Sequence, residues 1–273
     1  MNRLRLLLPL LGLLLALTGC TGTSAAPQPD EILTDHAGLN LKSLSPETLA
    51  AALQTIDQTA SDQGVEVHVS QTLGDAMTLY VAYTAAFPAG TDLEGLAPGE
   101  VTLSTDGKTF STSSQSSAWE TLDEDETTLA CVNSFGFDKE ILKPGTEVTL
   151  TIAGFQRDGA PVFDTTHTFT WTVENEGTVK YMDVKDDQGN MKGTCNFSAF
   201  AMNATLWDWQ DHYDAPAAFL SSLQLLDESG QPIQTNASCG GGSTNARNQF
   251  RIPVDLADVA AVQVGPYVTE VPK

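Results

Sequence analysis

Basic residues are scarce in this chain. Thirteen Lys and Arg stand against 35 Asp and Glu in 273 residues, a formal charge of −22. Neutralising phosphates takes a surplus of cations on one face, so nucleic acid is excluded as a partner. Long apolar runs are missing too: Leu6–Leu17 spans 12 residues, roughly 18 Å of helix against a hydrocarbon core of ~30 Å. The chain has no Gly-x-Ser-x-Gly elbow, no His-Glu-x-x-His, no Gly-x-x-x-x-Gly-Lys-Ser/Thr and no Gly-x-Gly-x-x-Gly. Those absences count against the common hydrolase and nucleotide-binding solutions only, because triads are assembled in space. What the chain does have is a composition that buries a core, with 41% hydrophobic and 18% charged residues, so it is not disordered as a whole.

The first twenty residues read as an address. Arg3 and Arg5 precede the apolar run, and Leu17-Thr18-Gly19-Cys20 closes it, the order of a signal segment. These four residues resemble a bacterial lipobox, in which the Cys thiol receives a diacylglycerol thioether and the chain is cut just before it. Small residues at Thr18 and Gly19 let a protease reach the backbone, and only the thiol of Cys20 makes the thioether. An ordinary secretory signal with a chance Cys, or an uncleaved anchor, is the alternative. The expectation is a signal peptide over 1–19 and a mature chain starting at lipid-modified Cys20, outside the cytoplasm and held to the bacterial cell membrane. Cleavage takes away two of the 13 basic residues and none of the acidic ones, so the mature charge is −24. Residues 20–44, rich in Thr, Ser, Ala, Gln and Pro, are expected to be a flexible tether spanning roughly 25–30 Å.

Ser45-Pro46-Glu47 opens a helix: a hydroxyl N-cap, Pro at the first helical position, and a carboxylate near the positive end of the dipole. Leu49, Leu53, Ile56 and Ala60 fall on one helical face and Gly64 ends it. That face packs on the core or binds a partner. From Val65 the period drops to two. Val65, Val67 and Val69 alternate with polar residues, as do Val148, Leu150 and Ile152, and then Phe169, Trp171 and Val173. Each run is a half-buried antiparallel strand. Turn signals lie between strands at Pro88-Ala89-Gly90, Asp106-Gly107, Pro144-Gly145 and Asp158-Gly159. Many short strands without intervening helices argue for a sandwich. The fold expected is all-β: one short α-helix, then two Ig-like antiparallel sandwiches, over 45–174 and 175–273. In the second, Asn196–Trp209 reads as one long strand, followed by Phe219–Leu226, Phe250–Val254 and Ala261–Val264.

Two segments carry a family resemblance. Gly64-Val65-Glu66-Val67-His68-Val69 with Leu79-Tyr80-Val81-Ala82-Tyr83, and the end from Leu225-Leu226-Asp227-Glu228-Ser229-Gly230-Gln231 through Phe250–Val254 to Val262–Gly265, resemble the extracytoplasmic domains carried by anti-sigma-factor-like membrane proteins of Gram-positive bacteria. The resemblance implies tandem Ig-like sandwiches and a sensing role at the cell surface. That family carries a cytoplasmic segment and a transmembrane helix where this chain has the lipobox, so holding a sigma factor is not implied.

Chemistry-bearing clusters are few. His36, His68, His167 and His212 are far apart, none pairing with another at i+2 or i+4, and solvated or locally bonded rings are expected, with no metal site. Of Cys131, Cys195 and Cys239, the last two share a predicted domain and are the candidate disulfide in an exported chain, with Cys131 buried. The alternative is three small buried thiols. Asp123-Glu124-Asp125-Glu126 supplies the hard oxygens calcium takes but lacks the spacing of a calcium loop, and reads as a solvated run. Gly240-Gly241-Gly242-Ser243 reads as a flexible loop. Trp207-Asp208-Trp209-Gln210-Asp211-His212-Tyr213 stands out. At strand spacing Trp207 and Trp209 share a face and stack on sugar rings while Asp208, Asp211 or His212 bind hydroxyls, or else they fill a core. The expectation is a non-enzymatic binding or sensing lipoprotein of the cell envelope, needing no cofactor, with an envelope protein or a glycan as partner. A carbohydrate-recognition lipoprotein using Trp207, Trp209, His212 and Tyr213 is the alternative.

Overall fold

The computed structural model describes residues 28–111, 118–121, 127–137, 141–174, 177–213, 219, 221–241 and 245–272. Cys20 and the acidic run 123–126 lie outside them. Two short helices come first, α1 (Glu31–His36) and α2 (Pro46–Ala52), with a 3-10 turn at Leu41–Ser43 between them. Nine strands follow: β1 (Leu53–Asp62), β2 (Val65–Gly74), β3 (Thr78–Ala86), β4 (Leu96–Thr105), β5 (Lys108–Ser111), β6 (Ala118–Thr121), β7 (Thr128–Gly136), β8 (Glu147–Arg157) and β9 (Ala160–Thr172). They form two antiparallel sheets, ordered β1-β2-β3-β7-β6 and β5-β4-β8-β9. Between the sheets lies a core containing Val67, Val81, Tyr83, Phe135, Leu150 and Phe169. The alternation read from Val65, Val148 and Phe169 is what delivers these side chains to one face. At Asp106-Gly107 and Asp158-Gly159 both residues have positive φ, near 48° and 72°, then 51° and 77°, the geometry that closes a two-residue hairpin.

The second unit is a smaller sandwich. Its strands are β10 (Lys180–Lys185), β11 (Met191–Phe197), β12 (Ala201–Leu206), β13 (Gln224–Leu226), β14 (Ser238–Gly241), β15 (Asn245–Gln249), β16 (Ala261–Val264) and β17 (Tyr267–Glu270). One sheet runs β10-β11-β12-β15-β14 and faces β13-β16-β17 across a core that includes Phe197, Leu206, Phe219, Leu225 and Val264. The chain is thus all-β, two antiparallel sandwiches behind short helices.

Several expectations change. Helix α2 starts as read, with Ser45 Oγ accepting from Thr48 N (3.2 Å), but it stops at Ala52. Leu53–Asp62 is a strand, in which Ile56 and Ala60 pack on the first core. Pairing along β2, from Leu53 opposite Leu73 to Asp62 opposite Val65, outweighs a four-residue apolar periodicity, and β-branched Thr55, Ile56 and Thr59 suit a pleated surface. The long strand over 196–209 is two strands, because Ser198–Phe200 forms a tight turn with Ser198 N donating to Ala201 O (2.8 Å). Among the described residues of 219–226 only Gln224–Leu226 is strand, and 250–254 is irregular. Gly240 and Gly241 belong to β14, paired with Arg247 and Ala246, and are not a flexible loop.

The tether is the largest correction. From residue 28 on it is part of the fold. Asp30 caps α1 by accepting from Leu33 N (2.8 Å), and its own N–H donates to Gln71 Oε1 (2.7 Å) on β2. Leu33 is fully buried and, with Leu44, Ala52 and Leu53, covers Tyr80, Ala82 and Val132 on the outer face of the first sheet. Phe200 and Ala199 of the second unit complete this third core. Asn40 N donates to Arg251 O (2.8 Å) and Ser43 Oγ to Pro253 O (2.6 Å), so the segment binds both sandwiches. Burying one Leu here contributes about 1.5–3 kcal/mol, enough for sparse apolar residues to hold a polar segment down.

Candidate functional site

The Trp-Asp-Trp segment leaves the end of β12. Leu206 is buried, Trp207 N donates to Lys192 O on β11 (2.9 Å), and Trp209–Asp211 forms one 3-10 turn. The two tryptophans therefore do not share a face. Trp209 is 6% exposed, in the second core, whereas Trp207 is 59% exposed. A strand would have put them together; the turn after Leu206 rotates one inward and leaves the other in water.

Beside Trp207, three side chains converge on Asp208. Its Oδ2 accepts from the Tyr267 hydroxyl (2.8 Å) and lies 3.2 Å from Lys192 Nζ and 3.7 Å from His212 Nε2. His212 Nε2 is 3.2 Å from the Tyr267 oxygen. With the hydroxyl proton on Asp208, that oxygen accepts, which assigns the His212 proton to Nε2. Lys192 Nζ sits 5.7 Å over the Tyr267 ring and 3.8 Å from Asp186 Oδ2. Asp186 is fixed by its own turn, accepting from Gln188 N and Asn190 N. Tyr213 is half-buried against Phe219, with ring centroids 6.1 Å apart. The expected ligand set is thus split: Trp207 and His212 stand at one exposed cluster, Tyr213 supports it, and Trp209 belongs to the core.

Burial pushes the Asp208 carboxyl up, but hydrogen bonds from Tyr267 and Lys192 and the nearby charges outweigh it and hold the carboxyl below its ordinary value. The hydrogen bond to Asp208 holds the Lys192 ammonium above its ordinary value. A carboxylate so stabilised does not shuttle protons near neutral pH. It accepts hydrogen bonds, and its Oδ1, buried without a partner among the described residues, keeps capacity for another.

No family model matches the chain and no curated protein matches it. Among solved structures it is similar to a conserved domain protein from Bacillus anthracis, at 14% identity over 77% of this chain and 75% of that one, with a TM-score of 0.48.

The other singled-out residues lie elsewhere. Cys195 on β11 and Cys239 on β14 are free thiols, one buried and one exposed. Two strands separate them in the sheet, so three spacings of ~4.8 Å keep them about 14 Å apart, beyond disulfide reach. Cys131 is buried and burial pushes its thiol up to about 12, which leaves it unreactive. His68 pairs with Asp57 at 3.0 Å on the surface, and His167 is buried with Nε2 3.2 Å from Val65 O. Lys192, Asp186 and Tyr267 were not legible as site residues. They come from two hairpins, one more than 50 residues from Asp208 in sequence, and no local spacing marks them.

Proposed function

We propose that this chain is a lipid-anchored, extracytoplasmic binding or sensing module, not an enzyme, attached to the cell membrane through Cys20. The observation that carries the binding role is Trp207: a large indole held 59% exposed beside an ionised, hydrogen-bonded carboxylate. An aromatic face next to fixed acceptors suits the C–H faces and hydroxyls of a neutral sugar, and the net charge of −24 after cleavage favours ligands presenting neutral or cationic groups. The resemblance to the surface domains of anti-sigma-factor-like proteins supports a sensing role in the same place. Because the body is folded from residue 28, seven residues lie between Cys20 and Gln28, a span of at most about 29 Å when extended. The module then stands close to the membrane.

The test is a glycan array with the full chain and its Trp207→Ala variant. Specific glycan binding that disappears in the variant while the melting temperature holds supports the reading. Equal binding by both proteins rejects the Trp207 face. Mass spectrometry of the N-terminal peptide checks the anchor, and an unmodified or internal start rejects it.

A further inference from the structure

A concave site that shares no residue with the Trp207 cluster lies at the seam where α2, the linker after residue 176 and the turn before β12 meet. It is a cavity of about 270 Å³ with Ala51, Phe200 and Leu256 as apolar wall and Glu47, Asp255 and Asp75 as the charged groups. Every charged residue lining it is acidic.

Asp75 is the unusual member. It is 3% exposed, and its Oδ1 accepts from Met77 N (2.8 Å) and Thr78 N (3.0 Å). Its Oδ2 is buried and accepts no hydrogen bond among the described residues. The adjacent Ser198 hydroxyl has a long contact to Ala201 O (3.4 Å) and lies near enough to the Asp75 carboxyl to favour its charged form. The nearby Arg247 guanidinium is engaged with the carbonyls of Phe137 and Met77 and the side chains of Asn203 and Thr78, at 2.7–3.0 Å. A buried carboxylate oxygen without a well-aligned donor is costly to keep, and Asp75 is among the residues that line the cavity. Burial raises the Asp75 carboxyl above its ordinary value, outweighing the hydrogen bonds and the charge of Arg247.

We propose that this seam cavity binds a small aliphatic amine, its ammonium group donating to Asp75 and its carbon chain lying against Phe200, Leu256 and Ala51. A metal ion fits less well, since no cluster of three or more His, Cys, Asp or Glu placed to hold one exists among the described residues, and the lining is largely apolar. Asp255 and Glu47 supply the negative field that draws a cation to the mouth. Asp255 is held in place by Thr48 Oγ1 (3.3 Å) of α2 and by Ala257 N (3.1 Å). Because α2, the linker and the second sandwich each contribute a wall, an occupant ties them together, and binding stabilises the seam.

The experiment is titration calorimetry and thermal melting of the full chain in neutral detergent, with butylamine as probe and butanol as its uncharged counterpart. Expected are saturable binding of one butylamine per chain, a raised melting temperature, and no comparable effect of butanol. Asp75→Asn keeps the shape of the side chain and weakens butylamine binding by about tenfold or more. Ala51→Phe changes an exposed residue, plugs the cavity and weakens binding without touching Asp75. Trp207→Ala leaves amine binding unchanged, which separates this site from the glycan-facing one. Equal binding of butanol and butylamine, wild-type affinity in both cavity variants, or no saturable binding up to about 10 mM each overturns the proposal.

Discussion

Asp208 and Asp75 are both carboxylates, one at the outer surface of the second sandwich and one in the β2–β3 turn of the first, at the seam between them, and the protein treats them in opposite ways. Asp208 gathers Tyr267, Lys192 and His212 around one oxygen and is held below its ordinary pKa. Asp75 has two backbone N–H groups on one oxygen and none on the other, and burial raises it. The difference is one of partners against desolvation. A surface site recruits long side chains from several strands and still reaches water; at the seam, burial outweighs the backbone N–H groups, Ser198 and Arg247.

The seam is where substitutions cut deepest. Phe200 is fully buried and packs 6.3 Å from the Tyr80 ring. Phe200→Ala is expected to cost about 3–5 kcal/mol and to split urea unfolding into two transitions as the sandwiches uncouple. A single transition at the wild-type midpoint would show that the third core does not join them. Leu33→Ala comes next, at about 2–5 kcal/mol, with faster proteolysis in residues 28–44. Unchanged stability would restore those residues to the role of tether.

The two carboxylates predict opposite pH limbs. The lowered value of Asp208 makes its contribution present above the ordinary carboxyl value of 3.8 and lost as pH falls through its native value. The raised value of Asp75 makes its contribution present below 3.8 and lost as pH rises through its native value. Melting curves between about pH 3 and pH 7 should therefore show Asp75→Asn gaining on the wild type at neutral pH. Asp208→Asn should lose to the wild type there and converge with it in acid. Parallel curves for all three proteins contradict the contrast. Trp207→Ala has the smallest expected effect on stability, within about 0.5 kcal/mol, read as an unchanged urea midpoint. A larger loss would place the indole in a packed role.

Strands were legible where one face is wet. Val65–Val69 and Phe169–Val173 alternate because water takes every second side chain. The covering of the first sheet's outer face was harder to see, although its signal is present. Leu79–Tyr83 and Leu129–Val132 are apolar without alternation because they are buried on both faces, inward by the second sheet and outward by Leu33, Leu44 and Phe200. At the Trp207 cluster, the segment carrying Trp207, Asp208 and His212 drew attention through its own composition. Lys192 and Tyr267 did not, since what makes them partners is the position of two hairpins.

By itself, the sequence determined the charge balance, the strand alternation and the Asp-Gly hairpin turns, all set by local sterics and by the sorting of apolar side chains from water. Tertiary structure alone decided that Leu53–Asp62 is strand and not helix, that Trp209 turns inward while Trp207 does not, that Cys195 and Cys239 stay apart, and that Asp75 is enclosed. Each of these depends on which distant segment lies alongside, and close packing between segments, not local preference, settles it.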